Sequence, residues 1–388
     1  MSGMKAQSMK QLSVLINGGG MVGAAAALAL AQKGVDVTLL EPKPPVADTN
    51  TDPDWDLRIS SVNNSNWEWL LTLGMGDYLR QQRIFDYQQL TVTSLGGQSL
   101  SFHANEAGLN KLGVMVENNA LQLALWAQLR TLNNVHLLTE ESLDKLDVQA
   151  KTAVLSQGDR LNYDLLLGCD GANSKVAELS GFNYRGWDYD QRCLLANVSL
   201  EKPIEPETWE VFRPQGPYAL LPLTEQQACL IDYGIRDDIN RLERDKKVLE
   251  AHLKTLFSAH IGDFRLDKSA SFPLQRKHAK SYVKAESIVL MGDSAHSIHP
   301  MAGQGVNLGF ADVRCLIDAL QKGSQRSALS QYESKRQREN AKMMRMMDAI
   351  QFGWRSNNPI MQLATTASLK VAGAPWVKRW LLQQAVGE

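Results

Sequence analysis

Cysteine is scarce in this chain: four in 388 residues (Cys169, Cys193, Cys229 and Cys315), with no C-x-x-C pair among them. A disulfide scaffold or a thiolate zinc site needs paired or clustered cysteines, so both are excluded. Scattered thiols fit buried structural positions in a reducing compartment. No apolar run approaches the ~20 residues that cross a bilayer. Net charge is lacking as well, since 41 Lys plus Arg against 42 Asp plus Glu leave −1. No global field exists to recruit nucleic acid or an acidic substrate. Repeats and low-complexity tracts are also missing. What remains is 44% hydrophobic and 21% charged, ordinary for a chain with a sizeable core. At about 150 residues per domain the length allows two or three domains. Tryptophan is the one surplus, with nine in the chain and three of them in the last 35 residues.

Lys5 and Lys10 precede the apolar run Met21 to Ala31, the order found in a signal peptide. Asn17-Gly18-Gly19-Gly20 separates the two, however, and a strand-like stretch follows directly. The segment therefore reads as part of a fold. The expected location is the cytoplasm, with peripheral contact at the inner membrane face left open.

Leu12 to Ile16 is a short aliphatic run of the kind found in a buried parallel strand. It feeds Gly18-Gly19-Gly20-Met21-Val22-Gly23, a G-x-G-x-x-G pattern. An alanine-rich helix and the strand Val35 to Leu40 come next, ending in Glu41. In that setting Gly18 permits the tight turn, Gly20 lets backbone approach a pyrophosphate, and Gly23 lets helix and strand pack closely. The helix N-terminus offers free N–H groups to phosphates. Glu41 lies 18 residues beyond Gly23, where an acidic side chain accepts a ribose hydroxyl. This favours an unphosphorylated ribose, as in FAD or NAD. Asn17, standing where an apolar residue is usual, is a departure expected to weaken the strand end slightly.

Two further segments repeat the theme of a strand ending in a glycine turn. Asp164 to Ser174 runs through Asp170-Gly171. Ser287 to His296 ends in Gly292-Asp293, and His299 to Gly309 then forms a glycine-rich loop opening a helix. Asp293 could accept hydrogen bonds from sugar-alcohol hydroxyls, and Gly303 and Gly305 would let backbone N–H groups approach a second part of a long cofactor. His296 and His299 do not make a metal site, which needs three or four organised ligands.

Together these segments resemble the class A flavoprotein aromatic hydroxylases, the para-hydroxybenzoate hydroxylase-like group. Gly292 to His296 with His299 to Asp312, Met115 to Trp126, Trp187 with Gln191 and Cys193, and Arg276 to Ala279 resemble the ubiquinone-biosynthesis hydroxylases within it. Met301 and Ala177 depart mildly from that pattern. The resemblance implies a Rossmann-like α/β FAD-binding domain of glutathione reductase type, an inserted mixed α+β substrate domain and a helical C-terminal region. Residues 1–74, 112–178 and 277–388 would form the first, and 75–111 and 179–276 the second. Strands are expected at Leu194–Leu200, Trp209–Phe212, Tyr218–Leu223 and Ala228–Tyr233, with a helix near Lys246–Phe257 and a strand at Phe272.

The implied activity is hydroxylation of the ring of a polyprenylated benzoquinol, with NAD(P)H as co-substrate and O2 activated as a flavin hydroperoxide. By the same resemblance, Gly18, Gly20 and Gly23 would hold the FAD pyrophosphate and Glu41 the adenosine ribose. Arg58 would reach the flavin from the start of the next helix. Gln122 would approach the ribityl or pyrophosphate region, and Asp170 would link the FAD and NAD(P)H contacts. Asp293 would bind the ribityl chain, while Gly303, Gly305 and Asn307 approach the isoalloxazine and Pro300 lines its face. No metal is implied, and no general base can be named from the sequence. A prenyl reductase or halogenase on the same fold, and a non-catalytic FAD-binding subunit of a quinone-biosynthesis complex, stay open.

The C-terminal part has a helical pattern. Trp376 and Trp380 lie four apart on one face, with Lys378 and Arg379 off it, after the Met-rich stretch 343–347. Such residues suit a membrane-surface helix or a docking site for partner proteins, and equally a helix packed on the core with a solvated basic face.

Overall fold

The computed structural model of the protein describes residues 9–46, 55–94, 97–298, 304–355 and 372–387. A six-stranded sheet carries the nucleotide half. Its order is β18 (Val283–Lys284), β19 (Ile288–Leu290), β12 (Leu165–Gly168), β1 (Ser13–Asn17), β2 (Asp36–Glu41) and β8 (Val135–Thr139). Its pairs are parallel except β18 against β19. Strands β12 and β19 are buried throughout and β1 nearly so, as parallel strands covered on both faces must be.

Helix α1 (Met21–Ala31) is buried at every position from Gly23 to Ala31. A helix with no polar face has to be enclosed. Here the sheet, α4 (Asn118–Leu129) and α8 (Gln304–Lys322) enclose it. Small sheets flank this core. One has the order β3 (Ile59–Asn63), β7 (Gly113–Glu117), β4 (Ile84–Tyr87), with the short α2 (Asn64–Leu70) and α3 (Gly76–Leu79) after β3. The other is a meander of β9 (Leu143–Asp147), β10 (Thr152–Leu155) and β11 (Arg160–Asn162). The short α5 (Lys175–Leu179) follows β12.

An eight-stranded sheet forms the second half. Its order is β20 (His296–Ser297), β17 (Phe264–Ala279), β13 (Tyr184–Leu200), β16 (Gln227–Ile235), β15 (Tyr218–Pro222), β14 (Glu207–Val211), β5 (Gln89–Thr93) and β6 (Ser99–His103). Alternate residues go to opposite faces. On one face Leu194, Ala196, Leu220 and Leu230 meet Leu253 and Phe257 of α7 (Lys246–Ile261), with Ile239 of α6 (Arg236–Leu242). On the other face are Cys193, Ala219, Cys229, Ile231 and Tyr233. The expected strands in 194–233 and the helix at 246 are all present. Two strands outrun the expectation, β13 with 17 residues and β17 with 16. Residues 185–188 show no apolar alternation, and it is pairing with 275–278 that makes them a strand.

Helix α9 (Gln325–Arg355) packs against α8 and reaches the second sheet. Trp354 stacks on Phe212 with centroids 4.9 Å apart, and Met347 is buried beside them. Asp348 accepts hydrogen bonds from Tyr189 Oη (3.0 Å) and Arg276 Nε (2.8 Å). The Met-rich stretch is therefore packing at this junction, with Met344 also buried. Helix α10 (Pro375–Val386) lays Leu382 and Val386 against Leu112 and Met115.

Between α8 and α9 lies a buried ion cluster. The Asp312 carboxylate accepts from Gly292 N (3.0 Å), Arg336 Nε (2.6 Å) and Asn340 Nδ2 (3.2 Å), and lies 2.6 Å from His296 Nε2. Burial alone would push this carboxyl up, but His296 and Arg336 outweigh it and hold it well below the usual range. Removing one partner leaves the other charge buried and uncompensated. Asp312→Asn is expected to cost about 3–5 kcal/mol in urea unfolding with an unchanged m-value. A depressed carboxyl stabilises the fold above its unfolded value of about 3.9, and that stability is lost on acidification. The deficit of the variant should therefore narrow as the pH falls through ~4 and below.

Candidate cofactor cleft and ring pocket

The β1–α1 turn is set by steric limits at two glycines. Gly18 has φ 105°, and a Cβ there would stand 2.4 Å from the Cys169 carbonyl oxygen. A Cβ on Gly23 would come within 1.9 Å of the Gly18 carbonyl oxygen, so helix and strand touch backbone to backbone. Gly20 differs from both: its backbone is ordinary, and a Cβ would meet nothing within 4 Å. It faces a cleft of about 290 Å³ bordered also by Met21, Asn118, Gly171, Asp293 and Gly305. Gly305 likewise has nothing within 4 Å of a notional Cβ. Two open glycines, the N-terminus of α1 and the Asp293 carboxyl thus converge on one elongated space.

The remaining expected residues brace this cleft in ways their positions did not announce. Glu41 Oε2 accepts from Gly19 N (2.7 Å) and its Oε1 from Lys43 N (2.9 Å), which ties the carboxylate to the glycine turn. Gln122 Nε2 and Trp126 Nε1 both donate to the Gly19 carbonyl at 2.8 Å. Gln122 therefore holds the turn next to Gly20. Asp170 Oδ2 accepts from Lys175 N, Val176 N and Asn17 Nδ2, at 2.7, 3.1 and 2.8 Å. Asn17, expected to weaken the strand end, in fact links the ends of β1 and β12.

Asn307 is buried, accepting from Asn63 N (3.0 Å) and donating to Ser61 O (2.8 Å). It fastens α8 to β3. Arg58 leads into strand β3 where the start of a helix was expected, because 59–63 pair with β7. It is exposed and lines the second cavity. Pro300 and Gly303 lie outside the described residues, as does His299. Among the described residues no group of three His, Cys, Asp or Glu could hold a metal ion.

The second cavity measures about 550 Å³ and is walled mainly by Leu, Ile, Ala and aromatic side chains on the inner face of the eight-stranded sheet. It shares Asn118 with the first cleft, and adjacent residues Gln304 and Gly305 border one each. The two spaces therefore meet. Arg58 and Glu210 are the charged residues on its described wall. Glu210 projects from β14 in register with Ala219 and is 5% exposed, and its Oε1 has no hydrogen-bond partner among the described residues. Burial pushes its carboxyl up to about 8. No motif in the sequence singles out Glu210. The available signal was the period-2 pattern of Glu207-Thr208-Trp209-Glu210-Val211, which puts Glu210 opposite to Trp209, a residue packed on Tyr218 and Phe257.

A glycine-lined cleft beside an apolar pocket is the arrangement expected of a redox enzyme that holds a long cofactor next to a neutral substrate. Residues 11–347 match the family described as FAD binding domain, and the chain belongs to that family. It is 36% identical to the 3-demethoxyubiquinol 3-hydroxylase of Escherichia coli, with 96% of this chain and 98% of that protein covered. It is 32% identical to the ubiquinone hydroxylase UbiL of Rhodospirillum rubrum, over 88% of this chain and 81% of the relative. The solved p-nitrophenol 4-monooxygenase PnpA of Pseudomonas putida shares the fold with a TM-score of 0.79 at 20% identity, covering 97% and 98% of the two chains.

The protein is a FAD-dependent monooxygenase. The cleft fits FAD. Gly20 and Gly305 leave room for it, the α1 N-terminus would face its phosphates, and Asp293 would accept from its hydroxyls. Gly20→Leu should fold normally, since its backbone is unstrained and its Cβ unopposed, yet lose more than about tenfold in FAD affinity, ~1.4 kcal/mol. Flavin absorbance after gel filtration and FAD titration would measure it. Gly23→Ala should instead lower stability by about 1–3 kcal/mol through the backbone contact.

Proposed function

We propose that this monooxygenase hydroxylates the ring of 2-polyprenyl-3-methyl-6-methoxy-1,4-benzoquinol in ubiquinone biosynthesis, with NAD(P)H and O2 as co-substrates. The observation that carries the reading is the apolar cavity of about 550 Å³ that meets the cofactor cleft at Asn118 and Gln304–Gly305. Its size lies within the ~300–1,000 Å³ of small-molecule pockets, and its wall suits a neutral ring better than an anion. The relatives named for demethoxyubiquinol and ubiquinone hydroxylation support the same substrate class. When bound and reduced by NAD(P)H, FAD supplies the oxygen-transferring chemistry with O2. The chain's own residues do the rest. Leu195, Leu221 and Ile231 hold the ring against the sheet and keep water away from the reacting carbon. Asn118 stands where ring pocket and cofactor cleft join.

The same reading gives α10 a role. Ala385 borders the ring cavity, while Trp376 is 76% exposed on the first turns of the same helix and Trp380 is 37% exposed. Lys342 Nζ lies 4.7 Å from the Trp380 ring, and Lys378 is paired with Glu106. A helix with outward tryptophans at the rim of the pocket supports peripheral membrane contact on the cytoplasmic side, where a prenylated quinol is dissolved. Docking of other ubiquinone-biosynthesis enzymes is the alternative use of this surface.

Purified holoprotein given the benzoquinol, NAD(P)H and 18O-labelled O2 should yield the hydroxylated quinol carrying one labelled oxygen atom by mass spectrometry. NAD(P)H oxidation that produces only peroxide would overturn the substrate assignment. In flotation with anionic liposomes, Trp376→Ala/Trp380→Ala should bind several-fold more weakly than wild type. Equal flotation of the two would remove the lipid role of α10.

A further inference from the structure

One buried acid is left without work by the cofactor cleft and the apolar wall. Glu210 stands on the inner face of the eight-stranded sheet, 5% exposed, in the wall of the ring cavity. Its Oε1 makes no hydrogen bond to any described residue. An unsatisfied buried carboxyl is costly, and native folds keep few of them. A ligand hydroxyl would supply the missing partner.

The other titratable groups on the described wall come from elements other than the two strands paired with β14. They are Arg58 before β3, Tyr87 on β4, Cys193 on β13, and Cys229 and Tyr233 on β16. Burial pushes the two thiols and the two phenols upward, so they stay protonated near neutral pH and cannot take up a proton. No histidine lines the cavity among the described residues.

We propose that Glu210 is the general base of the ring hydroxylation, its carboxylate binding a hydroxyl of the substrate ring and taking up that proton. The phenolic O–H bond breaks, the proton passes to Glu210 Oε1, and the electron pair stays on the ring oxygen. There it raises the electron density of the neighbouring ring carbon, the one that must accept oxygen. The step consumes no oxidant or reductant, and the oxygen atom still comes from O2 by the flavin reaction. A base that titrates near the working pH is the efficient kind, and burial has moved this carboxyl into that range. The proposal takes its substrate from the benzoquinol reading above.

The test uses FAD-loaded wild type, Glu210→Gln and Glu210→Asp. In wild type, kcat should rise with pH through about 8. In Glu210→Gln it should fall roughly 100-fold and lose that rise, while Glu210→Asp keeps a pH-dependent fraction. A folded carboxyl raised above its unfolded value of about 4.3 lowers stability as pH increases between the two values. Glu210→Gln should accordingly melt at or above the wild-type temperature at pH ~8, with unchanged FAD content, so a loss of rate is not a loss of fold.

A second arm needs no turnover. The affinities of a short-chain prenylphenol and its O-methyl ether are compared from pH 6 to 9, by fluorescence quenching. The preference for the free hydroxyl should grow about tenfold as the carboxyl ionises in wild type, as a charge-assisted hydrogen bond requires, and stay flat in Glu210→Gln. Wild-type kcat and pH profile in Glu210→Gln, or the same pH-dependent preference there, would overturn the proposal. If wild type hydroxylates no benzoquinol but shows the pH-dependent preference, the substrate reading fails and the hydroxyl-binding carboxylate stands.

Discussion

The contact between the carbonyl of Gly18 and the backbone at Gly23 governs how the rest of this molecule is arranged. Because no Cβ intervenes, α1 can start against the end of β1, and its N-terminus is aimed into the cleft. The Gly19 carbonyl is then free to be clasped by Gln122 and Trp126, which anchors α4, and its N–H by Glu41, which anchors the end of β2. Asn17 and Asp170 tie in β12 at the same level. One close approach thus brings five elements to a common edge, where a phosphate-bearing cofactor finds donors and no obstructing side chain.

A second constraint comes from the two faces of the eight-stranded sheet. One face is sealed by α6 and α7 with ordinary aliphatic and aromatic packing. The other is left partly uncovered and turned toward the cofactor cleft, so the fold creates a pocket by not filling it. Helix α9 keeps that opening in place. Its Asp348, Gln351 and Trp354 lock onto β13, β17 and Phe212, while its Arg336 is held by Asp312 of α8. The ion cluster and the aromatic stack therefore work as two ends of one strut between the nucleotide half and the ring pocket.

Much of this was legible in the residues because it is written in local patterns. The aliphatic run 12–16, the glycine spacing 18-20-23 and Gly292-Asp293 each encode a strand ending in a tight turn, and each one forms. The strands of 194–233 follow from period-2 alternation. The backbone bonds of Gln122 and Asn307 were not legible, because a polar side chain on a helix does not show which distant segment it will meet. Asn307 acts on residues more than 240 positions away in the chain. The polar half of β13 likewise carries no strand signal of its own and becomes a strand through β17.

By itself the sequence determined the nucleotide half: where backbone can turn with positive φ, where it can approach an anion, and which runs must be buried. These depend on the intrinsic limits of glycine and on apolar periodicity, both properties of neighbouring residues. Tertiary structure alone decided that the cleft and the ring pocket share a border, that the methionines of α9 are packing, and that Glu210 is sealed into an apolar wall. The physical reason is that burial and desolvation belong to the assembled sheet. A glutamate in a five-residue strand has an ordinary acidity until strands from distant parts of the chain surround it.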